Sequence, residues 1–107
     1  MIGFLFFWRF TVAFWVYIIK SENTGHIYIG HTSDLERRMR EHNDQVIGKH
    51  RYTRKHKGPW QLIHSEEMKT RSDAMKREKF LKSGQGREWI HKTLLPRLNR
   101  QSPPPAD

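Results

Sequence analysis

Residues 26–34, HIYIGHTSD, and the LERRMREHN that follows at 35–43 decide the fold. HIYIGH at 26–31, with its aromatic and β-branched run, predicts a strand in which Gly30 marks a bend or a close backbone approach. A helix opens almost at once, with Ser33 as N-cap and Glu36 three residues on in a capping-box pattern. Leu35, Arg38, Met39 and His42 fall at i, i+3, i+4 and i+7, which is one helical face. An arginine and a histidine therefore lean toward the core side, while Arg37 and Arg40 point elsewhere.

The flanking segments complete the pattern. AFWVYIIK at 13–20 is apolar, aromatic and β-branched, and predicts a strand. SENTG at 21–25 is a turn, so the first two strands form a hairpin. Residues 44–58 are polar and basic and predict a mobile loop. WQLIHSEE at 60–67 is a third strand, alternating over Gln61, Leu62, Ile63 and His64. KTRSDAMKREKFLK at 69–82 is a helix capped by Thr70, with Ala74, Met75, Glu78 and Leu81 on one face. SGQG at 83–86 breaks it, and REWIHKTLLPRL at 87–98 is a last helix interrupted or ended by Pro96. The order β-β-α-β-α-α is an α+β domain: a small three-stranded antiparallel sheet flanked by helices. Its expected extent is residues 14–95, after an apolar extension at 1–13 and before a disordered tail at 96–107.

Composition bounds the function. The 107 residues suffice for one domain with a modest core. Lys and Arg outnumber Asp and Glu by 20 to 11, a net charge of +9. The basic residues cluster in GKHRYTRKHKG at 48–58 and along one helix, which points to a polyanion, nucleic acid before membrane. The absence of cysteine excludes disulfides and thiolate metal sites and suits a cytoplasmic protein. His50, His56 and His64 lack zinc-site spacing. The stretch MIGFLFFWRFTVAFWVYII at 1–19 approaches the roughly 20 apolar residues of a membrane span. Arg9 interrupts it and its last part is needed as a strand, so residues 1–13 are expected to be an accessory extension or the product of an early start codon. A membrane anchor is the minor alternative.

Glu78 lies within an apolar helical stripe, where a bare carboxylate is costly and must be paired, protonated or metal-bound. A salt bridge to Lys82 is its ordinary explanation. Arg38, His42, Tyr17 and Tyr28 each have an equally ordinary structural role on their own. Together, the hairpin, the Arg/His helix and the Glu helix offer polar groups to one region.

WVYIIK at 15–20, then YIG at 28–30, Arg38 eight residues after Gly30, EHN at 41–43 and AMKRE at 74–78 resemble the GIY-YIG nuclease domain. The similarity covers roughly residues 14–95 and is greatest to small stand-alone bacterial members related to the nuclease domain of the UvrC repair subunit. The tyrosine of the first motif falls on Tyr17, while Trp15 and Val16 stand where that motif has glycine and isoleucine. The second motif is intact as Tyr28, Ile29 and Gly30. His31 holds a place where some members carry lysine, and Asn99 is not assigned to the asparagine that some members use near their C-terminus.

The resemblance implies an endonuclease that hydrolyses DNA phosphodiester bonds in repair or processing, with RNA left open as a substrate. Tyr17, Tyr28, Arg38, His42 and Glu78 form the implied catalytic set, supported by Gly30 and His31. Glu78 would hold one divalent ion, Mg²⁺ or Mn²⁺. Arg38 would grip the non-bridging oxygens and Tyr28 would position or deprotonate the attacking water, helped by His31 or His42. Tyr17 would orient phosphate or water, and Gly30 would let the backbone approach. Lys49, Arg51, Tyr52, Arg54 and Lys55 would hold the strand by charge and stacking. The competing reading is a binding module of the same fold without activity.

Overall fold

The computed structural model describes residues 13–44 and 57–101. Strands β1 (Phe14–Ser21), β2 (Ile27–Thr32) and β3 (Trp60–Met68) form one antiparallel sheet in the order β2-β1-β3. Helix α1 (Leu35–Asn43) covers one face. Helices α2 (Arg71–Lys82), α3 (Gly84–Trp89) and α4 (Leu95–Gln101), with a π-helical turn at Ile90–Leu94 before α4, cover the other. This is the α+β architecture that the order of elements predicts.

Strand β1 is central, and Val16, Tyr17, Ile18 and Ile19 are all buried. Alternation vanishes from its sequence because both faces are covered. Val16 and Ile18 pack with Ile29, Ala74, Leu81, Ile90 and Leu94 beneath the helices. Tyr17 and Ile19 pack with Trp60 and, from α1, Leu35 and Met39.

The described residues depart from the sequence expectations in four places before the last helix. Asp34, not Ser33, caps α1 and accepts from the Arg37 amide at 3.1 Å. The Thr32 hydroxyl receives the Asp34 amide at 3.0 Å, which carries the chain one residue further before the helix starts, and Glu36 pairs with Arg40 instead of closing a capping box. In β3 the alternation fails at a bulge: Ile18 faces His64 but Ile19 faces Leu62, so Ile63 is extra. In α2, Met75 is 54% exposed, and the buried stripe narrows to Ala74 and Leu81. Finally, the SGQG break is a single residue. Ser83 closes α2 and caps α3 by accepting from the Gly86 amide, while both glycines are helical.

Pro96 does not end the chain's last helix, and the helix continues to Gln101. Proline in a regular helix clashes with the carbonyl four residues back. The π-helical turn just before it, with the Leu95 amide donating to the Ile90 carbonyl, widens the coil at that point.

Adjacent residues of α2 fix that helix across the sheet. Arg77 reaches the β3 edge, where Nε and Nη2 donate to the two Glu66 carboxylate oxygens at 2.8 and 3.1 Å. Glu78 reaches the β2 edge and pairs with His31 at 2.8 Å. His64 joins Glu66 at 2.8 Å and lies edge-on to Trp89. Buried between these ties, Ala74 and Leu81 pack against β1 residues Val16 and Ile18.

The two α3 glycines separate two effects. A Cβ on Gly86 would run into the Phe80 carbonyl and Leu81 Cα, whereas one on Gly84 would meet nothing within 4 Å. Gly86→Ala is expected to lower stability by about 1–3 kcal/mol through overpacking. Gly84→Ala should raise it by up to about 1 kcal/mol through helix propensity. Urea denaturation of the two variants checks both signs.

Candidate active site

The hairpin register sets Tyr17 opposite Gly30 and Ile19 opposite Tyr28, so both tyrosines share the α1 face. Tyr17 lies across Gly30. A Cβ there would stand 2.7 Å from the Tyr17 hydroxyl, 2.8 Å from its Cζ and 3.0 Å from Tyr28 Cε1. Gly30 is the lane through which the Tyr17 ring passes toward the sheet edge.

At the far end of α1, His42 meets that hydroxyl: Tyr17 Oη and His42 Nε2 are 2.6 Å apart, and each residue is 1% exposed. The rings of Tyr17, Tyr28 and His42 form a tilted triangle, with centroids 6.2, 5.6 and 4.9 Å apart. Burial, and next the neighbouring Tyr28, push the Tyr17 hydroxyl well above the ordinary tyrosine range. The Arg38 charge opposes them and the Glu78 charge adds to them. Tyr17 is therefore a protonated hydrogen-bonding group at neutral pH, and both charges act on its hydroxyl.

Asn43, next to His42, holds the end of α1 in place. Its Oδ1 accepts from the Trp60 amide at 2.7 Å and its Nδ2 donates to the Trp60 carbonyl at 3.1 Å. The sequence assigns Asn43 no role by itself; its adjacency to His42 is the available signal.

Glu78 approaches the same edge strand from the opposite face, because Val16 pairs with His31 on the side that α2 covers. His31 Nδ1 meets Glu78 Oε1 at 2.8 Å, and Lys82 Nζ donates to Oε2 at 2.9 Å. Burial raises the Glu78 carboxyl, but the hydrogen bonds from His31 and Lys82 outweigh it and hold the group below the usual carboxylate range. The structure thus gathers Tyr17, Tyr28, Gly30 and His42 on one face and His31 and Glu78 on the other, meeting at β2. His31 serves Glu78, and the His42 hydrogen bond goes to Tyr17. Arg38 is half-buried on α1, and Asn99 is exposed on α4. Lys49, Arg51, Tyr52, Arg54 and Lys55 lie outside the described residues.

Among the described residues, no group of three or more His, Cys, Asp or Glu side chains forms a metal cage. The site offers one ionised carboxylate, Glu78. That donor set fits a hydrated Mg²⁺-type ion, which binds through one or two carboxylates plus waters and substrate phosphates. No helix of the described residues is long and apolar enough to cross a membrane.

The sheet thus carries paired tyrosines over an edge glycine and an Arg/His helix on one face, and a Glu helix on the other. The chain belongs to the GIY-YIG family: the model of the GIY-YIG catalytic domain matches residues 13–90. It is 45% identical over 69 residues to a UPF0213 protein of Haloquadratum walsbyi, covering 64% of this chain and 73% of that one. It is also 43% identical over 49 residues to the structure-specific endonuclease subunit slx1 of Schizosaccharomyces pombe, covering 43% of this chain and 18% of that protein. The solution NMR structure of a UPF0213 protein from Bacillus halodurans superposes with a TM-score of 0.50 at 26% identity, covering 88% of this chain and 99% of that one.

Two outcomes follow for stability. Tyr17→Phe strips the buried His42 Nε2 of its 2.6 Å partner and is expected to cost about 1–3 kcal/mol in urea denaturation. Because the folded-state pKa of Glu78 lies below its unfolded value, its ion pairs stabilise the fold above the ordinary carboxylate pKa. That contribution disappears as the pH falls through the folded-state pKa. Glu78→Gln should flatten part of the acid-side loss, and Glu66, lowered in the same direction by Arg77 and His64 despite its burial, should sustain the remainder.

Proposed function

We propose that this domain is a metal-dependent endonuclease that hydrolyses DNA phosphodiester bonds, acting in DNA repair or processing in the cytoplasm. The observation that carries the reading is the convergence at β2 of a buried Tyr17–His42 pair, Tyr28 beside both, and an ionised Glu78. The net charge of +9 suits a polyanionic substrate. In this reading Lys49, Arg51, Tyr52, Arg54 and Lys55 hold the strand, and the catalytic unit is residues 14–95.

Tyr28 is the more exposed tyrosine and reaches the attacking water. Its neighbours lead inward: Tyr17, which stays protonated, bonds His42, so a proton taken at Tyr28 has a path toward the imidazole. Arg38 donates to the non-bridging oxygens, where a planar guanidinium suits the geometry better than an ammonium. Glu78 would hold the divalent ion, Mg²⁺ or Mn²⁺, with the oxygens that His31 and Lys82 now engage. When bound, the ion supplies Lewis-acid polarisation of the phosphate and stabilises the leaving oxygen.

One observation favours a second reading. Both Glu78 oxygens are already engaged, by His31 and by Lys82. A domain that kept those pairs would bind nucleic acid without cutting it.

A cleavage assay separates the two. Full-length protein meets labelled single-stranded, duplex and branched DNA with Mg²⁺, Mn²⁺ or EDTA. The expected result is metal-dependent cutting that Glu78→Ala abolishes and Tyr28→Phe slows by about 10²–10⁴-fold, the usual share of general acid–base catalysis. Salt-sensitive binding without cutting on every substrate would establish the binding module.

A further inference from the structure

A second cleft opens beside the catalytic residues, between the free edge of β2 and the junction of α2 with α3 and the π-helical turn. It encloses about 530 Å³. Ile27, Ile29 and Ile90 line it with apolar surface, Tyr28 borders it along β2, and Lys82, Arg87 and His91 supply its cationic and donor groups. No acidic residue lines it. Lys82 is shared with the catalytic edge through its 2.9 Å bond to Glu78. Among the described residues, the Arg87 and His91 side chains form no ion pair or side-chain hydrogen bond. β2 is an edge strand, so it also turns main-chain groups outward along this side.

These features select a ligand. A guanidinium and an imidazole over apolar surface suit a phosphate whose attached sugar or base lies against the isoleucines. The larger groove between α1 and β3 suits it less, because its one cation, Arg40, is paired with Glu36 at 3.2 Å and Asp44 adds a second negative charge to the lining. We propose that the β2–α3 cleft is a binding subsite for a backbone phosphate of the nucleic-acid strand, flanking the phosphate at the catalytic edge. The assignment rests on the nuclease reading for the identity of that strand. It makes Arg87 and His91 substrate-positioning residues and Lys82 the link between the subsite and Glu78.

The test is a charge-neutralisation scan. Oligonucleotides carry one methylphosphonate at successive positions, and binding to the full chain is read by fluorescence anisotropy in EDTA, where no cutting occurs. Neutralising one flanking position should weaken wild-type binding by about tenfold, as loss of a hydrogen bond to a charged group does. The Arg87→Ala/His91→Ala variant should bind unmodified DNA more weakly by a similar factor and be indifferent to that position. Arg87→Lys should retain part of the sensitivity. Both side chains are exposed, so the fold is expected to survive. A double variant as sensitive as wild type, or a wild type insensitive at every flanking position, overturns the subsite. Loss of cutting in Mg²⁺ with the interference pattern intact would refute the nuclease reading and leave the subsite standing. Cutting without the pattern does the reverse.

Discussion

A tyrosine hydroxyl buried to 1% exposure needs a partner, and at Tyr17 that partner is His42, 25 residues away and equally buried. Much of the architecture on that side serves this one bond. α1 must end where its last turn reaches the hydroxyl, and Asn43 fixes that end on the Trp60 backbone. The hairpin register must place a residue without a side chain beneath the ring, and only Gly30 does so. A shift of one residue in β2 would set Ile29 or His31 there and close the lane.

The other face is organised by charge. Consecutive residues of α2, Arg77 and Glu78, diverge to opposite edges of the sheet, each meeting a group of opposite charge or a histidine. The apolar stripe between them is narrow, and the two ion pairs flank it at opposite edges of the sheet. At the β3 edge the pair is closed by His64 and Trp89. At the β2 edge it lies next to the tyrosines and the cationic cleft, with both Glu78 oxygens engaged by His31 and Lys82. The same type of interaction is closed off by an aromatic ring at one edge and lies beside the tyrosines at the other.

Much of this was legible in residue order. The strand at 14–21 and the Thr70-capped helix follow from local patterns, and the face shared by Arg38, Met39 and His42 follows from helical spacing. The misreadings were local contests settled by neighbours. Asp34 displaced Ser33 as cap because Thr32 engages its amide. The π-helical turn let Pro96 stay within a helix. Met75 was lost from the buried stripe, which Ala74 and Leu81 fill instead. The Glu66–Arg77 clamp left no trace in the sequence, since its members are separated by a turn and belong to elements of different period.

Sequence alone determined the order of elements, the α+β class and the chemical types in the set, because periodicity, capping and motif spacing are local and survive in the chain's linear order. Only the tertiary structure decided who pairs with whom. It set the Tyr17 and Tyr28 side chains on one face and Glu78 on the other, gave His42 to Tyr17 and His31 to Glu78, and made β2 an edge where both faces meet. The physical reason is that a strand's register and a helix's rotation are fixed by contacts distant in sequence. Whether a polar side chain becomes a buried partner or a free donor depends on those contacts.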